Sequence, residues 1–147
     1  EAVELRDEGG FTGLKLRLGR ERPADDLATI LAVRKAVGDG MELMVDFNQG
    51  LSLVDAIARC HALDDLGLEW FEEPIAYDNV DGYAQLAREL DTPLQLGENF
   101  YGPRAMHAAI RAGAGERALE ALLVVDVDLE VASSPRAARS AGRPSGA

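Results

Sequence analysis

Three acidic residues stand at a constant interval along the 147-residue chain, each closing an apolar run. Asp46 ends the run in MELMVDFN, Glu72 the run in GLEWFEEP and Glu98 the run in TPLQLGEN, with 26 positions from each to the next. That interval accommodates one strand plus one returning helix, so the side chains should recur at the same end of neighbouring parallel strands and converge. Two carboxylates about 4 Å apart repel by roughly 4 kcal/mol at an effective dielectric of about 20. A bound cation removes that cost, and an all-oxygen donor set without His or Cys suits a hard ion such as Mg2+ or Mn2+. One acid at a strand end is ordinarily solvated or paired with a loop arginine; three in register point to a metal.

Lys15 and Arg17 lie two apart in LKLRLG and therefore face the same side of a strand. Beside a metal they could neutralise a substrate carboxylate, or Lys15 could take a proton, since a neighbouring cation makes a lysine a better base. Equally, both could simply pair with the nearby acids.

Alternating strands and helices are needed to position these groups. Leu14–Leu18, Met41–Asp46, Leu68–Glu72 and Leu94–Gly97 are short runs, apolar on both parities, and are predicted as buried strands. Asp25–Val37, Leu53–Leu66, Val80–Leu90 and Pro103–Ala112 have apolar residues every three or four positions and are predicted as helices. Pro23, Ser52 and Pro103 mark helix starts, and Gly38, Gly67 and Gly113 mark helix ends.

Repeated strand–helix units suggest a (β/α)8 barrel or an open doubly wound sheet. A doubly wound nucleotide fold would place a glycine-rich turn after its first strand, but LGRERP contains neither GxGxxG nor a P-loop. Lys15, Arg17, Asp46, Asn48, Glu72, Glu73 and Glu98 instead collect at C-terminal strand ends, where barrels keep their chemistry. The predicted fold is therefore α/β, a partial (β/α)8 TIM-type barrel over residues 1–115. Residues 116–147 form a divergent tail, in which ASSPRAARSAGRPSGA has a composition expected to be disordered.

The net charge of −11 disfavours nucleic acid as a partner and is compatible with a divalent metal. Cys60 is the sole cysteine, which excludes an internal disulfide and a Cys-based zinc motif and suggests a reducing cytoplasm. There is no apolar stretch of membrane-spanning length and no leader pattern. The chain opens with Glu1, inside what reads as a helix end, so an upstream segment is expected.

LKLRLG, VDFNQG, WFEEP and GENFYGP, in this order and spacing, resemble the barrel domain of the mandelate racemase branch of the enolase superfamily over residues 1–114. The resemblance implies that Asp46, Glu72 and Glu98 are the Mg2+ ligands, and that Asn48 and Glu73 support those ligands or touch substrate. It further implies removal of the proton α to a carboxylate, with a Lys or His base and Mg2+ stabilising the developing charge. Substrates would be hydroxy acids or acid sugars, and outcomes racemisation, epimerisation or dehydration.

The departures are as informative. Arg17 stands where the family commonly has a second lysine as base, and an arginine is a poor proton acceptor. Arg17 is thus expected to orient or neutralise substrate, with Lys15 beside it. His61 and His107 fall within predicted helices and read as ordinary helical residues, and GERALEALL stands where the family's aspartate motif is due. Half a barrel leaves strand edges unpaired, favouring self-association as a homo-oligomer. The expectation is a fragment of a lyase or racemase, inactive alone and produced by truncation or frame disruption. The alternative is a non-catalytic metal-binding or self-associating remnant.

Overall fold

The computed structural model describes residues 2, 3, 7 and 11–114; the divergent tail lies outside the described residues. Within residues 11–114 four strands alternate with four helices: β1 (Gly13–Arg17), α1 (Pro23–Val37), β2 (Glu42–Asp46), α2 (Leu53–Leu63), β3 (Phe71–Glu72), α3 (Val80–Glu89), β4 (Leu94–Gln95) and α4 (Pro103–Arg111). A single 3-10 turn, Asp64–Leu66, extends α2. The strands form one parallel sheet in the order β1-β2-β3-β4. Sequential order without a reversal is that of consecutive units of a (β/α)8 barrel.

Local chemistry explains the element ends. Pro23 and Pro103 occupy first-turn positions, where the missing N–H costs nothing. Ser52 caps α2 by accepting the N–H of Asp55, and Asn79 caps α3 by accepting that of Gly82. Gly67 adopts the left-handed conformation that ends the α2 extension, which favours a residue without Cβ.

Burial alternates along β1 and through Val45 of β2, whereas both residues of β3 and of β4 are buried. Leu14, Leu43, Val45, Phe71 and Leu94 point to one face and join Ile30, Ala56, Cys60, Leu63, Tyr83 and Leu86 from the helices in a single core. The register puts Lys15 opposite Met44, Arg17 opposite Asp46, Asp46 opposite Glu72 and Glu72 opposite Gln95 on the other face. The strands are thus two-faced rather than uniformly apolar. In a barrel that second face is the interior layer, and Met44 and Trp70 supply its apolar members. None of the described helices is long and apolar enough to cross a membrane.

Candidate metal centre

Asp46 and Glu72 are cross-strand neighbours at the C-terminal ends of β2 and β3, and both are buried. The sheet delivers them there because each ladder continues through their main chains: Leu18 N–H donates to Asp46 O at 3.0 Å and Phe47 N–H to Glu72 O at 3.0 Å. Asp46 Oδ1 accepts the N–H of Asn48 at 2.7 Å. Glu72 Oε2 accepts the indole N–H of Trp70 at 3.3 Å.

Each acid also meets a cation from β1. Lys15 Nζ donates to both oxygens of Glu72, at 2.8 and 2.7 Å, and Arg17 Nη2 lies 3.0 Å from Asp46 Oδ2. The pairing between β1 cations and strand-end acids that the sequence allowed is formed. The acids are the buried members, whereas Lys15 and Arg17 keep 44% and 59% of their side-chain surface exposed. Their exposed heads can therefore move without unfolding the sheet.

Glu98 is placed differently. The β4 ladder stops at Gln95, Gly97 turns the chain at φ 134°, and Glu98 emerges exposed in the loop beyond. Asp46 and Glu72 are brought together, but among the described residues no group of three or more His, Cys, Asp and Glu side chains closes around one point. The donors nonetheless fit a hard divalent ion: Asp46 and Glu72 are buried, anionic, oxygen-only and already balance positive charge. Glu98 lies on the neighbouring strand's loop and would complete the set.

Glu73 occupies the turn after β3 and is 1% exposed. Its carboxyl accepts Gln49 Nε2 at 2.9 Å and Asn99 Nδ2 at 3.0 and 3.3 Å, and the same amide reaches Glu98 Oε1 at 3.3 Å. Burial pushes the Glu73 carboxyl above the usual range and the adjacent Glu98 charge adds to this, against the lowering effect of the Asn99 and Gln49 bonds. Asn48, Gln49 and Glu73 all have positive φ, at 48°, 61° and 39°. Non-glycine residues in this region are uncommon and gather at functional sites. Asn48 is exposed at the rim. Gln49 and Asn99 are the polar residues that sequence reasoning did not single out as site members; their neighbourhood to VDFN and GEN was the available signal.

The histidines lie elsewhere. His61 Nε2 sits 3.4 Å from Glu89 Oε2 on the helical side, and His107 is exposed on α4.

Residues 1–118 match the family described as enolase C-terminal domain-like. The chain is 41% identical over 96 residues to L-talarate/galactarate dehydratase of Salmonella typhimurium, covering 65% of this chain and 24% of that protein. It is 37% identical over 114 residues to D-galactarolactone cycloisomerase of Agrobacterium fabrum, covering 78% and 30%. A crystal structure of an enolase from the alpha proteobacterium bal199 with bound magnesium superposes with a TM-score of 0.74 at 61% identity, over 77% of this chain and 32% of that one. That of L-talarate dehydratase from Polaromonas sp. JS666, complexed with Mg and L-glucarate, gives 0.70 at 31% identity, over 83% and 37%. The chain thus spans about a quarter to a third of the length of these relatives.

Proposed function

The chain belongs to the enolase C-terminal domain-like family, and from that membership we propose that it carries the metal-binding part of an enzyme that removes the proton α to a carboxylate. The substrate class is a hydroxy acid or acid sugar, in keeping with the dehydratase and cycloisomerase relatives. The observation that carries this reading is the in-register pair of buried carboxylates, Asp46 and Glu72, at adjacent strand ends.

Asp46, Glu72 and Glu98 would hold Mg2+, which when bound supplies electrostatic stabilisation of charge developing on the substrate carboxylate. Arg17, permanently cationic, orients and neutralises that carboxylate. Lys15, freed from Glu72, is the β1 group able to exchange a proton. Asn48, exposed on the rim with its main-chain N–H on Asp46, would support that ligand or touch substrate. The barrel portion is assigned to residues 1–115 and the tail to 116–147.

The test is a Mn2+ or Mg2+ titration of the chain and of Glu72→Gln, followed by a hydroxy-acid and acid-sugar panel in D2O. Binding that Glu72→Gln abolishes, with exchange of an α-proton for deuterium, is the expected result. A non-catalytic metal-binding remnant is the second reading, favoured by one observation: neither His61 nor His107 stands near the sheet end. Metal binding without exchange on any substrate selects it, and no metal binding at all refutes both.

A further inference from the structure

Glu73 follows Glu72 directly but lies past the end of β3, at φ 39°, and its carboxyl bonds the neighbouring turns. From there it ties together the turns after β2 and β4. Its main chain receives Gln49 N–H at 2.6 Å and donates to Gln95 O at 3.0 Å. Its carboxyl takes the Gln49 and Asn99 amides, and the Gln49 Oε1 in turn accepts Tyr77 N–H at 3.0 Å. Gln49 belongs to the turn after β2 that bears Asn48; Asn99 belongs to the turn after β4 that bears Glu98.

We propose that Glu73 and Asn99 are positioning residues: the buried Glu73 carboxyl fixes the β4–α4 turn through Asn99, and Asn99 steers the exposed Glu98 toward the ion shared with Asp46 and Glu72. This rests on the metal reading above. Three facts converge on it. Glu98 alone of the three acids lacks a place in the ladder, so something else must set its direction. The Asn99 amide spans the two carboxyls, reaching Glu73 at 3.0 Å and Glu98 at 3.3 Å. Glu73 is itself held by bonds on its loop side and by an uncommon backbone conformation, which makes it an anchor. Outer partners that orient metal ligands typically govern affinity by about 10–100-fold.

Mn2+ affinity of the full chain, read from the free-ion paramagnetic resonance signal, tests this without any turnover. Asn99→Ala should weaken Mn2+ about tenfold or more, and Glu73→Gln should weaken it in the same direction. Each should leave the urea midpoint close to that of the wild type. In a Glu98→Gln background Asn99→Ala should change Mn2+ affinity no further, because the residue it acts through is gone. Equal loss in both backgrounds would assign Asn99 a merely structural role and overturn the proposal, as would affinities of both variants within twofold of wild type. Should the wild-type chain itself bind no Mn2+, the metal reading fails and takes this one with it, a result separable from every other outcome.

Discussion

Removing Arg59 should unlock the first βα loop. Arg59 Nη1 lies 2.7 Å from Asp26 Oδ2 with 10% and 1% of the two side chains exposed, so the pair is shielded from solvent. Asp26 also accepts N–H groups of Gly19 and Arg20 at 3.3 and 3.2 Å, and Arg59 donates to the carbonyls of Arg20 and Glu21 at 2.7 and 3.3 Å. The two residues thereby clamp the loop that begins just after Lys15 and Arg17. Breaking a buried pair from one side costs about 3–5 kcal/mol, because a charge is left uncompensated. Set against a typical stability of about 5–15 kcal/mol, Arg59→Met should lower the urea midpoint by about 1 M or more. Trp70, the only tryptophan and nearly buried, reports the transition by fluorescence. The decisive comparison is Asp26→Asn/Arg59→Met, which keeps an acceptor for the loop N–H groups but removes the stranded charge. It should be more stable than Arg59→Met alone. A double variant less stable than the single would show that the loop bonds, and not the buried charge, carry the effect.

Four other outcomes follow from the packing. Tyr83 is fully buried and donates to Ile75 O at 2.6 Å, so Tyr83→Phe should cost about 1–3 kcal/mol in urea unfolding by orphaning that carbonyl. Gly82→Ala should destabilise despite alanine's roughly 1 kcal/mol helix advantage, since a Cβ there meets Ile75 Cδ1 at 2.7 Å and Asn79 Nδ2 at 2.8 Å; a raised thermal midpoint would contradict this. Burial pushes the Cys60 thiol up to about 12, so a thiol reagent at pH 8 should label it only after unfolding. Burial opposes ionisation of Asp64, but the N–H groups of Asp91 and Thr92 donate to its carboxylate and, with the nearby Thr92 hydroxyl, hold it below its ordinary 3.8. A lowered folded-state value means stabilisation present above the unfolded value and lost as pH falls through the folded one. Asp64→Asn should therefore be slightly less stable than wild type at pH 7, an effect kept small by solvent screening, with the gap narrowing below pH 3.8.

Much of the scaffold was legible because its signals are local and repeated. The cap residues Ser52, Pro23 and Pro103 fixed three helix starts within two residues, and the four short apolar runs placed the four strands. The strand-end placement of Asp46 and Glu72 was legible for the same reason, since position along a strand determines what faces the interior. Glu98 was legible as a residue but not in its setting: pairing ended at Gln95, earlier than the apolar run TPLQLG suggested. Gln49 and Asn99 escaped because an amide's partners depend on turn geometry, which positive φ values at Gln49 and Glu73 set and no hydrophobic pattern encodes. The Asp26–Arg59 clamp was hidden for a related reason. Charges 33 positions apart on two helices read as solvated surface until the helices are seen side by side.

The glycines at the opposite rim have a practical consequence. Gly38, Gly67 and Gly113 end helices where a side chain would meet nothing within 4 Å, on the side of the sheet away from Asp46 and Glu72. Their positive φ strains any side chain placed there, but Gly40, in the same turn as Gly38, has neither a positive φ nor an atom within 4 Å of a Cβ, so a group attached at Gly40 projects into open space away from the acid-bearing loops. A surface tether or fluorophore attached through Gly40→Cys would anchor the protein with its acidic end presented outward, ready for single-molecule or sensor-chip work.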